Sequence, residues 1–177
     1  MKHFAAILLV LALPAFAQDA KQDDAMKNCP MHDQHQAHHA VVESHGDQDM
    51  GFPHDKTTHH FRMAVDGGAI EVNVNDSSDK TNTEAIRMHL SHIALMFGNG
   101  DFSTPMFIHD GVPPGATTMK LMKSQITYKY EEIPSGGRVR IQSTDPIALA
   151  AIHDFIRFQI TEHQTGDSLE VVRKQLL

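Results

Sequence analysis

The residues able to do chemistry crowd into one stretch. Cys29-Pro30-Met31-His32 is followed by His35, His38, His39, His45 and His54, and then by the adjacent pair His59 and His60, eight imidazoles in all. Neutral imidazole suits copper, zinc and nickel, whereas thiolate and thioether favour Cu(I), so Cys29, Met31 and His32 within four residues make a soft chelate. Asp33, Glu43, Asp47 and Asp49 raise the local cation concentration around them. The plainer alternative is a solvated linker whose histidines select nothing. Cys29 is the single cysteine and excludes an internal disulfide. In an oxidising compartment such a thiol is held by a metal or pairs with another chain.

A second constellation follows at helical spacing. His89, His92 and Met96 share one stripe, with Met88 beside it, bordering the apolar row of Ile86, Leu90, Ile93 and Phe97. Two imidazoles at i and i+3 with a thioether one turn on can ligate an ion from a rigid platform. Ordinary packing at the core edge is the competing reading, since methionine fills irregular gaps and buried histidines usually find hydrogen-bond partners. His59 shares the inward phase of Phe61 and Met63, which directs it toward that stripe. His109, with Asp110 beside it, is either a ligand with a carboxylate neighbour or a loop histidine. His153 and His163 read as structural, His163 because it lies near a helix end. The expected metal ligands are therefore Cys29, Met31, His32, His35, His38, His39, His59, His60, His89, His92, Met96 and His109, with copper first and zinc second.

These donors need a scaffold, and the 177 residues supply one domain with non-core sequence to spare. Lys2, the apolar run Phe4–Leu13 and the small-residue exit at Ala15–Ala17 predict a secretory signal over residues 1–17, too short to span a membrane. Cleavage there leaves 160 residues with 14 basic and 22 acidic side chains, a net charge of −8. A soluble periplasmic or secreted protein is expected, with no membrane attachment after cleavage. The acidic balance supplies no field for a phosphate backbone, which argues against nucleic acid.

Residues 18–56 are polar and acidic and predict a disordered, histidine-rich arm. From Thr57 the pattern alternates, with Phe61, Met63 and Val65 on one face and Arg62 and Ala64 on the other. Asp66-Gly67-Gly68 turns the chain, and Ile70, Val72 and Val74 return it. A capping box at Thr81 and Glu84 opens a helix that Gly98 and Gly100 end. After a proline-bearing loop with a short helix near 117–123, strands at 128–133 and 138–142 flank Pro134-Ser135-Gly136-Gly137. Asp145-Pro146 then opens a helix that Gly166 closes. Aligning Gly68 with Gly137 makes two ββα units. The predicted fold is α+β: a four-stranded antiparallel sheet with both helices on one face over residues 57–166, followed by a tail at 167–177.

Two resemblances add to this. Cys29-Pro30-Met31-His32 resembles the opening of the heavy-metal-binding domain attached to bacterial copper and silver efflux proteins, which implies a thiophilic metal. Thr57-Thr58-His59-His60-Phe61, Gly67-Gly68-Ala69-Ile70-Glu71-Val72 and Arg87-Met88-His89-Leu90-Ser91-His92-Ile93 are similar to a group of small exported bacterial proteins sometimes labelled aspartate carbamoyltransferase. That activity requires two α/β domains and a Ser-Thr-Arg-Thr loop for carbamoyl phosphate, and the sequence carries no such loop.

No Gly-x-Ser-x-Gly elbow, His-Glu-x-x-His pair or phosphate-cradling glycine loop is present in the sequence. Metal buffering, delivery or resistance is the first expectation. A small metal-dependent enzyme, using the helix stripe with His59 or His109 and with Glu84 or Asp110 as base, is the second. A module that docks an envelope protein partner is the third.

Overall fold

The computed structural model describes residues 30–171, with side chains from Gln36 onward. Cys29 lies outside the described residues, and so do the segment expected to be a signal, the first part of the expected arm and the last residues of the tail. The first helix, α1, runs Pro30–Met50. Its opening turns up to Gln36 fall in a unit of their own, and the packing described below is that of the second unit, from Ala37 onward.

Within that unit residues 37–50 continue α1, in the segment that composition alone reads as an arm. The rest of α1 is polar, with Val42 fully buried at 0% exposure, and Phe52 follows at 2%. His38 Nε2–H donates to Glu162 Oε2 at 2.6 Å, and the His45 ring stacks on Phe107 at 4.8 Å. A helix without an apolar stripe is thus held by a few contacts from other elements, which composition does not reveal. A single 3₁₀ turn, His54–Lys56, leads into the sheet.

Strands β1 (Thr57–Ala64) and β2 (Gly67–Val74) form the first hairpin, β3 (Thr127–Ile133) and β4 (Gly136–Gln142) the second. The order β1-β2-β4-β3 makes one antiparallel sheet, as predicted. Val65 is corrected: it is 45% exposed in the turn and does not extend the inward row. In the central pair Ile70 faces Val139, Gly67 faces Gln142 and Asn73 faces Gly136. This register relates the hairpins by a local twofold that superposes Gly67-Gly68 on Gly136-Gly137.

Helix α2 (Lys80–Gly98) follows the first hairpin. Its cap is Asp79, whose carboxylate accepts from Asn82 N–H at 3.0 Å, not the predicted Thr81–Glu84 box. The connection holds two short helices, α3 (Ser103–Ile108), which was not predicted, and α4 (Ala116–Leu121). Helix α5 (Pro146–Glu162) starts as predicted, with Asp145 accepting from Ile147 and Ala148 N–H and proline in the first turn.

The two long helices cross over. Helix α2, which follows the first hairpin, packs mainly on β3 and β4, whereas α5 packs on β1 and β2. Leu90 of α2 therefore lies over Gly137, and Ile156 of α5 over Gly68. Phe97 and Phe155 meet edge-on at 5.8 Å between the helices. Each long helix packs mainly on the strands of the other half, so the halves share one core. The opposite sheet face is charged: Glu71 pairs with Arg138 at 2.8 Å and Arg62 at 3.4 Å, and Arg140 with Asp66 at 3.1 Å.

Candidate metal centre

Strand alternation turns His59 to the helix side of the sheet, beside Phe61, as expected. Its Nε2 lies 3.2 Å from the sulfur of Met50, the last residue of α1. His89, from the inward edge of α2, and His163, the C-cap of α5, come to the same place. Together they line one cavity of about 60 Å³ whose other walls, apart from Thr104 and Gln159, are apolar, among them Phe61, Leu90, Ile93, Phe97 and Phe155. Such a volume holds a water or a single ion rather than an organic substrate.

The rings stand in a chain. His59 and His163 are parallel, with an interplanar angle of 7° and centroids 6.2 Å apart, and His109 meets His163 edge-on at 5.1 Å. Phe52 touches both His59, at 6.2 Å, and His89, at 5.8 Å. Burial holds all four imidazoles below their ordinary range, with the neighbouring histidines adding repulsion. The His59 pKa falls to about 4 and that of His163 to about 3, and those of His89 and His109 are also lowered. The cluster is therefore neutral near pH 7, the form in which imidazole binds a metal.

A polar pocket opens on the other side of His59 and His163, lined also by His39, Glu43 and His54. There the electrostatics reverse. Asp47 accepts from the backbone and ring N–H groups of His54 at 2.7 and 2.9 Å, and this pairing raises the His54 pKa. Among the described residues, no group of three His, Cys, Asp or Glu side chains is arranged to hold one ion.

The residues expected as ligands are thus divided. His59 and His89 meet at the cavity. His92, three residues from His89, is exposed, and Met96 is half-buried with its sulfur 4.0 Å from the Thr104 hydroxyl, so the expected helix stripe is split between solvent and protein. His60 points to the other sheet face, where its ring donates to Asp167 at 3.0 Å. His109 is buried, and its Nε2–H donates to Gln159 Oε1 at 3.1 Å; its neighbouring carboxylate is Glu162, 4.0 Å away, while Asp110 is exposed. His38 and His39 lie on α1 facing Glu162 and Glu43. Met31, His32 and His35 occur in the first turns of α1, where only the backbone is described, and Cys29 is outside the described residues.

Sequence reasoning missed Met50 and His163. One lay in the segment read as an arm, the other was assigned to a helix dipole. His153 is structural, as expected: its Nε2–H donates to the carbonyls of Ala64 and Gly67, at 2.9 and 3.1 Å, and so ties α5 to the first turn. Searches among protein families, curated proteins and solved structures find no match to this chain.

Proposed function

We propose that this chain is an exported transition-metal-binding protein of the periplasm that buffers, delivers or sequesters copper, with zinc as the second ion. The observation that carries this reading is the convergence of His59, His89 and His163 with the Met50 thioether on one small apolar cavity, every imidazole neutral. An apolar core gains nothing from burying several imidazoles unless their lone pairs are used. The dense histidines of the segment before β1, together with Cys29, support capture of ions ahead of that cavity. The signal-like first 17 residues support export.

Titration of the full-length chain with Cu(I), Cu(II) and Zn(II), followed calorimetrically, tests the reading. Saturable uptake of copper is the expected result. Absence of heat with all three ions overturns it. Elemental analysis of untagged protein from its native compartment then identifies the ion.

A further inference from the structure

We infer that the cavity is a site for a soft monovalent ion, Cu(I) or Ag(I), with Met50 Sδ and the imidazoles of His59 and His163 as donors. The inference rests on the metal-binding reading and specifies its ion and its ligands.

The first support is the Met50–His59 spacing of 3.2 Å. With metal–nitrogen and metal–sulfur bonds of roughly 2.0 and 2.3 Å, these two atoms subtend an angle of about 95° at a shared ion. That angle is too narrow for an evenly trigonal site and places the sulfur beside two nearly opposed nitrogens. The second support is His163. Two imidazoles bound to one ion have centroids at most roughly 6.3 Å apart, given nitrogen–metal bonds of about 2.0 Å. His163 lines the same cavity and its ring is parallel to that of His59 with centroids 6.2 Å apart, so the two share an ion only with their ring edges turned toward each other and a nearly linear nitrogen–metal–nitrogen angle.

The charge of the ion follows from the walls. Among the described residues lining the cavity there is no Asp or Glu, so the donors themselves are neutral, and the carboxylates that act on the histidines, Asp47 on His59 and Asp49 on His89, do so from outside it. The solvation cost of burying an ion grows as the square of its charge, so a divalent cation costs about four times as much here as a monovalent one. Zinc also draws four donors from Cys, His, Asp and Glu, a set in which thioether has no place. Thioether selects Cu(I).

A second, independent feature belongs to the same cavity. Gln159 is 4% exposed and lines the cavity, its Oε1 accepts from His109, and among the described residues its Nε2 finds no hydrogen-bond acceptor. A buried amide donor without an acceptor is costly, and it fits a cavity that holds a guest or its bound water.

The test uses the full-length chain carrying ¹³C-methyl methionine, titrated with Ag(I), a diamagnetic and air-stable probe, and followed by NMR. The expected result is a saturable shift of the Met50 methyl signal together with the His59 and His163 ring signals, and no shift of Met50 with Zn(II). Met50→Leu keeps the fold, checked by circular dichroism, and weakens Ag(I) binding on the order of 10–100-fold. His163→Gln weakens it similarly while the Met50 signal still reports on the cavity. Uptake of Ag(I) with the Met50 signal unmoved and Met50→Leu unaffected overturns this assignment, and leaves the broader reading standing on other donors. Failure of the chain to take up Ag(I), copper or zinc at all overturns both.

Discussion

A β-carbon on Gly136 would fall 1.9 Å from the carbonyl oxygen of Val72. The two central strands close on each other there, and the local twofold repeats the arrangement, with a β-carbon on Gly67 1.9 Å from the oxygen of Ile141. Because the obstructing atoms are backbone, no rotamer change relieves the clash. Gly136→Ala is expected to destabilise the fold by about 3 kcal/mol or more. Gly111→Ala, whose nearest atom would be 3.7 Å away, stays within about 0.5 kcal/mol. Urea unfolding of the two variants side by side makes the comparison.

Acid should unfold the metal-free protein through His59 and His163. Burial lowers their folded-state pKa values to about 4 and about 3, whereas the unfolded chain protonates near pH 6.5. Between these values the unfolded state binds more protons, so stability is complete above about pH 6.5 and is lost as the pH falls through the folded values. For His59 alone the effect is on the order of 3 kcal/mol. His54, raised by Asp47, acts in the opposite direction but only weakly, since its side chain is 40% exposed. Urea midpoints at pH 7.5 and 4.5 check this, and equal midpoints would show that the cluster is not held neutral.

Asp66 is expected to matter more than its place in a turn suggests. It accepts from Arg140 Nη2 at 3.1 Å and from Gln142 Nε2 at 2.7 Å, and Arg140 is only 4% exposed. Asp66→Ala strands a buried guanidinium and should cost roughly 3 kcal/mol, whereas Asp154→Ala, on an exposed ion pair with Arg157, should cost less than about 1 kcal/mol. Thermal melts of both variants decide it.

The second-unit part of α1 should detach on its own. Val42 is its fully buried apolar side chain, so Val42→Asp is expected to speed hydrogen exchange across residues 38–50 while β2 and β4 keep their protection. Faster exchange throughout the sheet would instead make α1 part of the cooperative core.

Much of the domain is legible in the chain because local periodicity and turn chemistry agree. Alternation marks β1 and β2, Asp145-Pro146 marks the start of α5, and the paired glycines mark a register that the sheet confirms. Helix α3 escapes because six residues around Pro105 carry no period. The helix cap at Asp79 escapes because Ser77, Ser78, Asp79 and Thr81 are all able caps, and the preceding turn chooses among them. The candidate site is legible only in part. Alternation turns His59 inward and helical phase puts His89 at the core edge, but the same phase leaves His92 equally plausible until the sheet is in place.

The sequence alone determined the wealth of nitrogen and sulfur donors, the two ββα halves and the inward phase of individual side chains, since each depends on residues a few positions apart. Only the tertiary structure decided which donors meet. His163 is distant from His59 along the chain and Met50 precedes it by nine residues, and their approach to it depends on α5 crossing to the first hairpin and on α1 docking through Val42 and His38. Those choices are made by the shape of the shared core, which no local pattern encodes.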